Sequence, residues 1–283
     1  MCEVMYASGV RENADVVMCN EFINDKKCSI LMENCVLSKN DIERKILPDF
    51  FAKKTDDTYQ MGVTVWWHVY TKIFRRQFIE KSGLCFDTQL YSGEDFLYSL
   101  KSLCLAEKLV CIFDAHCYHY MIRSSSITQN YRYGFIEKNF KIFSEINNCV
   151  TDNQNLFERI NFYIIIAAAD MINNELLKSH LNKKEKIKRL DLIAKSPEIK
   201  AAVQNVSKDK LSFQYRGYYD VLLKKSGSEM YYALCHNRCY KKIKAKLRLK
   251  GIISRNKALE NSFTYARKKL KRRFRNEKNS VYN

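Results

Sequence analysis

Residues 3–19 read EVMYASGVRENADVVMC, and this stretch decides the fold class. Glu3 to Glu12 suits a helix, Asn13-Ala14 breaks it, and Asp15-Val16-Val17-Met18-Cys19 follows as a short buried strand. Helix, tight turn and apolar strand in that order predict an α/β sheet rather than a helix bundle. Working outward, Leu109 to Phe113 reads as a second strand and Cys117 to Ile122 as another extended stretch. Ser92-Gly93-Glu94-Asp95 opens a helix whose Phe96, Leu97, Leu100, Leu103 and Cys104 fall at helical spacing. Gly83 to Asp87 reads as a turn into an extended piece, so a partial sheet is expected near residues 15–20, 84–91 and 109–120. The polar segments Asn24 to Lys27 and Lys53 to Asp57 read as loops.

Beyond Tyr131 the pattern turns helical, with Phe135 to Ile146, Leu156 to Leu177, Lys183 to Ala194 and Pro197 to Val206 as candidates. Pro197 suits a first helical turn, where its missing N–H is no loss. The apolar run Phe162 to Ala169 falls well short of the ~20 residues a membrane-spanning helix needs. The expected organisation is a sheet domain over 1–130, a helical region over 131–236 and a basic tail over 237–283. Of the 49 Lys and Arg residues, 17 lie in that tail against two acids, so it holds +15 of the formal +18. The rest of the chain is nearly neutral, which argues against a body built to hold nucleic acid. Basic residues interleaved with Ile243, Leu247, Ile252, Ile253, Phe263 and Leu270 suit an anionic membrane surface. A solvated end and a nucleic-acid contact are the alternatives for the same residues. Eleven cysteines, an odd number, follow an opening that does not read as an export signal. Reduced thiols and a cytoplasmic location, peripheral at the inner face of the membrane, are the expectation.

Three motifs in order carry more than composition: Tyr70-Thr71-Lys72-Ile73-Phe74-Arg75-Arg76, then Gly83-Leu84-Cys85-Phe86, then Gly93-Glu94-Asp95-Phe96. Tyr118-His119-Tyr120, Arg123 and Ser126 follow. This series resembles the C-terminal part of the catalytic domain of bacterial family 2 glycosyltransferases, over roughly residues 3–130. The resemblance implies an α/β, partial glycosyltransferase-A-like (Rossmann-like) sheet domain followed by a mostly helical region. It implies sugar transfer from a nucleotide-sugar to a glycan or lipid-linked acceptor in surface polysaccharide synthesis. Two departures stand out. Tyr70 occupies the place of the family's usual Trp, and no Asp-x-Asp occurs in the sequence. The family's N-terminal half, which carries that metal-binding loop, has no counterpart here. A truncated or split enzyme, inactive alone, is therefore the expectation, with the family's divalent cation (manganese or magnesium) lacking its usual site.

By the resemblance Asp95 is the base that takes the acceptor proton, and Glu94 holds acceptor hydroxyls. Read from spacing alone, Ser92-x-x-Asp95 is a capping box at a helix start. Lys72, Arg75 and Arg76 face phosphate or hold an acidic loop, or else form a solvated edge. Arg123 and Ser126 stand where the family closes over the nucleotide diphosphate. The spacings of Cys111, His116, Cys117 and His119, and of Cys235, His236 and Cys239, match no closed zinc site. Two other function classes stay open: a non-catalytic remnant acting as an interaction module, and a basic membrane- or nucleic-acid-binding protein.

Overall fold

The computed structural model describes residues 1–24, 26–27, 33–90, 92–121, 130–150 and 154–236. Arg123, Ser126 and the basic tail 237–283 lie outside the described residues. Helix α1 (Cys2–Glu12) ends at Asn13, a left-handed residue with φ 52°, a conformation Asn tolerates better than most side chains. The chain turns into β1 (Val16–Ile23), four residues longer than its apolar run. Next come β2 (Lys26–Lys27), β3 (Cys35–Ser38), and a continuous helical stretch of α2 (Lys39–Asp41), a π-turn (Ile42–Ile46) and α3 (Leu47–Phe51). The hairpin β4 (Ala52–Thr55) and β5 (Thr58–Met61) follows, then β6 (Lys72–Phe74), α4 (Arg76–Ser82), α5 (Glu94–Leu105) and β7 (Lys108–Tyr120). The second half is helical: α6 (Phe135–Cys149), α7 (Gln154–Asn173), α8 (Lys183–Lys195), α9 (Pro197–Asn205), α10 (Phe213–Leu222) and α11 (Gly227–His236). This is the α/β sheet followed by helices that the sequence predicts.

The main sheet is mixed. β1 and β7 run parallel at its centre, β3 pairs antiparallel with β7, and β1 pairs antiparallel with β6 near its start and with β2 at its end. Two expectations are corrected here. Residues 84–90 form no strand: Asp87 closes a local turn by accepting from Gln89 N–H at 2.9 Å, and Leu84 and Leu90 tuck in singly. The positions beside the central strands go to β6 and β3 instead. The polar segment 53–57 is not a loop either, because it makes up most of β4 and the hairpin turn, with Asp56 at φ 53°. Its lysines lie on the outer side while Ala52 and Tyr59 are buried, an alternation too short to read from sequence.

The sheet is covered on both faces. On one, Met5 of α1 packs with Ala14, Val17, Cys19 and Val110. On the other, Lys72, Met18, Cys111 and Cys35 are direct register neighbours across four strands, so their side chains share a face. The helical half joins the sheet half through one aromatic core. Phe96 of α5 lies 4.8 Å from Phe50 of α3 and 4.9 Å from Tyr163 of α7, ring centre to ring centre. The middle of α7, Phe162 to Ala169, is apolar all round, which requires burial. Phe162, Ile165, Ala168, Met171 and Ile172 are each solvent-free, or nearly so, beneath α3, α9 and α10. Among the described residues, no helix is long and apolar enough to cross a membrane.

Candidate active site around Asp95

The site begins with a buried strand that stops being apolar. After Val16-Val17-Met18-Cys19, β1 continues through Asn20 and Glu21, both almost fully buried. A carboxylate there needs a partner, and Glu21 Oε1 lies 3.0 Å from His68 Nδ1.

His68 sits on the loop before β6, and that loop is held from below. Lys72 is 5% exposed, and its ammonium donates to the Trp66 carbonyl at 2.9 Å and the His68 carbonyl at 2.6 Å. Thr71 Oγ1 donates to the same His68 carbonyl, and Ser99 Oγ of α5 donates to the Trp67 carbonyl at 2.8 Å. Burial brings the Lys72 ammonium down to about 7, against the opposing pull of Asp95 and Glu21. The polar loop is thus fixed to both β6 and α5.

Asp95 comes from the first turn of α5. Gly93, at φ 90°, is the residue that caps this helix, with no side-chain hydrogen bond at the cap. The capping-box reading of Ser92-x-x-Asp95 is therefore not realised. Instead the Asp95 carboxylate accepts from the Val69 N–H and faces His68 and Lys72. Burial pushes its pKa above the ordinary 3.8 in spite of those charges. Glu94 is the preceding helical residue; its Oε2 is buried and has no hydrogen-bond partner among the described residues.

Aromatic rings line the same side. Tyr70 stacks on Tyr118 at 4.2 Å and on His68 at 4.8 Å, and Tyr120 lies parallel to Tyr70 at 5.8 Å. Burial and the adjacent Glu21 push the Tyr70 hydroxyl pKa up. Glu21 and Tyr118 are register partners on the carboxyl halves of β1 and β7. That is the end at which α/β sheets bind ligands.

Of the residues singled out from sequence, the structure brings together Asp95 and Lys72, with Glu94 preceding Asp95 on α5. It places Arg75 and Arg76 elsewhere, at the amino end of β1, roughly 16 Å along the strand from Glu21 at ~3.3 Å per residue. Arg75 donates from Nε to the Ala14 carbonyl at 3.0 Å and from Nη2 to the Asn13 carbonyl, clamping the turn between α1 and β1. Arg76 is an exposed partner of Glu80. Neither arginine joins the Asp95 cluster. Glu21 and His68, which no sequence motif singles out, lie with Tyr70 in the same cluster. The available signal was an acid interrupting an otherwise buried strand.

The donor set does not fit a divalent cation. No group of three or more His, Cys, Asp and Glu side chains converges among the described residues. Glu21 is engaged by His68, and Asp95 by the Val69 N–H. On the opposite face Phe22 stacks against His119 at 4.4 Å, and the His116 ring lies tilted to it at 5.1 Å.

The architecture is that of a glycosyltransferase-like α/β fold. The crystal structure of S. aureus TarS, a glycosyltransferase, matches with a TM-score of 0.50 and 12% identity, over 82% of this chain and 36% of TarS. S. aureus TarS 1–349 in complex with UDP-GlcNAc matches with a TM-score of 0.50 and 14% identity, over 88% of this chain and 63% of that one. The chain thus spans less than two thirds of either structure, and at these identities the likeness is one of fold. No protein-family model and no curated protein matches the chain.

Proposed function

We propose that the chain is the acceptor-side part of a family 2-like glycosyltransferase that uses a nucleotide-sugar, of which UDP-GlcNAc is the first to test. The observation that carries this reading is Asp95: a half-buried carboxylate with raised basicity, held by a backbone N–H near the carboxyl halves of the parallel strands. In an inverting transfer the acceptor hydroxyl attacks the anomeric carbon, the bond to the diphosphate breaks, and the hydroxyl proton passes to Asp95. Glu94, with an unpartnered oxygen, is suited to an acceptor hydroxyl. Lys72 and His68 position Asp95 and its loop.

The nucleotide would be held by a separate half carrying an Asp-x-Asp loop, together with Arg123 and Ser126. Activity therefore requires that half. The basic segment 237–283 would hold the enzyme at the anionic inner face of the membrane, near lipid-linked glycan acceptors.

The experiment measures transfer from UDP-GlcNAc with a donor-binding half supplied as a second polypeptide. Asp95→Asn should lower the rate by on the order of 10²–10⁴ with the fold intact, the usual scale for a positioned base. The acidic limb of the pH profile should lie above 3.8, because Asp95 must be ionised to act and burial raises its pKa. Unchanged turnover in Asp95→Asn would remove the residue from this role. The chain alone, titrated with UDP and Mn²⁺ by calorimetry, should show neither micromolar binding nor turnover. Finding both would show that no second half is needed.

A further inference from the structure

The described cysteines outside the Asp95 cluster include one pair in a distinctive arrangement. Cys35 and Cys111 are direct partners in the antiparallel ladder of β3 and β7. Facing Cα atoms in such a ladder lie about 4.5–5.5 Å apart, within the ~4.4–6.8 Å that a disulfide bridges. The Cys111 thiol donates a hydrogen bond to the Cys35 sulfur. That bond, with Lys45 nearby, brings Cys35 down to about 7, so much of it is thiolate near neutral pH. Cys35 is partly exposed on an edge strand, whereas Cys111 is buried. An accessible thiolate beside a buried thiol is the arrangement of an attacking and a resolving cysteine.

Two other neighbouring pairs lack this combination. Cys19, next to Cys117, is buried and pushed up to about 11. Cys104, near Cys149, is pushed up to about 12 by burial. Neither Cys19 nor Cys104 is a thiolate near neutral pH.

We propose that Cys35 and Cys111 form a reversible dithiol–disulfide site, oxidised by low-molecular-weight disulfides of the glutathione class. The Cys35 thiolate attacks one sulfur of the oxidised disulfide, forming a mixed disulfide and expelling one thiolate. Cys111 then attacks the Cys35 sulfur, expels the second thiolate and gives up its proton to it. The two protein thiols are oxidised and one small disulfide is reduced to two thiols. The new bond pins edge strand β3 to β7. It lies in the register row that runs from Cys111 through Met18 to Lys72, so oxidation is read next to the loop that holds His68.

The test incubates the reduced full chain, folded and near neutral pH, with excess oxidised glutathione and maps it by mass spectrometry without reduction. A cross-linked peptide pair containing Cys35 and Cys111, lighter by two hydrogens and released by dithiothreitol, is the expected product. Cys111→Ser should stop at a glutathione adduct on Cys35, and Cys35→Ser should leave Cys111 a free thiol. Linkage of Cys35 to a different cysteine, or both thiols still free in the wild-type chain, would overturn the proposal.

Discussion

Lys72 shows how one residue shapes the site. Its stem enters from β6 beneath the loop, and its ammonium replaces water as the partner of two carbonyls that would otherwise be buried alone. Burial disfavours the charged form and lowers its pKa from 10.5 to about 7. The unfolded chain therefore holds a proton that the folded chain does not hold between about 7 and 10.5. Stability contributed by this group is greatest above that window and falls as pH drops through it. Urea unfolding of wild type and Lys72→Met at several pH values should show the wild-type advantage growing as pH rises from 7 toward 10.5. Equal pH dependence in the two proteins would mean that Lys72 stays charged in the fold. The residue that resembles a phosphate-facing lysine in sequence is, in the fold, a buried brace.

Helix α5 is the element that delivers Asp95, and its start depends on Gly93. At φ 90° an L side chain is strained, and a Cβ there would lie 2.6 Å from Ile142 Cδ1 of α6. Glycine thus sets both the helix entry and the closeness of α6, which fixes the direction of the Asp95 carboxylate. Gly93→Ala should cost about 1–3 kcal/mol, the combined scale of a strained φ and an overpacked contact. Chemical denaturation measures it. Adding Ile142→Val should recover only the steric share, since the backbone strain remains. Full recovery would show that the φ angle is not limiting.

At the scale of the molecule, the two halves share one core through Phe50, Phe96 and Tyr163, yet apolar surface remains outside it. Tyr6 and Val10, one turn apart on α1, are 68% and 63% exposed. Such an apolar pair, on a helix whose other side buries Met5, offers a small surface for contact with a second copy of the chain. The purified chain should self-associate, and Tyr6→Lys with Val10→Glu should shift it toward monomer in light scattering without changing its thermal midpoint. A wild-type chain that stays monomeric at high concentration would show that the patch is tolerated.

The sequence by itself determined the α/β class, helix α1 leading into β1, Asp95 at the head of a helix, and the helical run from α6 to α9. These rest on local physics: β-branched runs, helical spacing around Phe96 and Leu100, and Pro197 at a first turn all act within a few residues of themselves. The basic residues resisted such reading: Lys72 turns under the loop that carries His68, while Arg75, three residues on, clamps the turn before β1. Strand β6 runs antiparallel to β1, and that pairing alone decides which of them reaches the site. The replacement of residues 84–91 by β3 and β6 was decided the same way, by long-range pairing that no short window contains. Glu21, His68 and Tyr70 became a cluster only when β1 and the loop before β6 met. Their burial, and with it the basicity of Asp95 and the low pKa of Lys72, depends on desolvation by elements distant in sequence. Tertiary packing sets that quantity, and the sequence carries it only as Asn20 and Glu21 placed in a strand that is otherwise apolar.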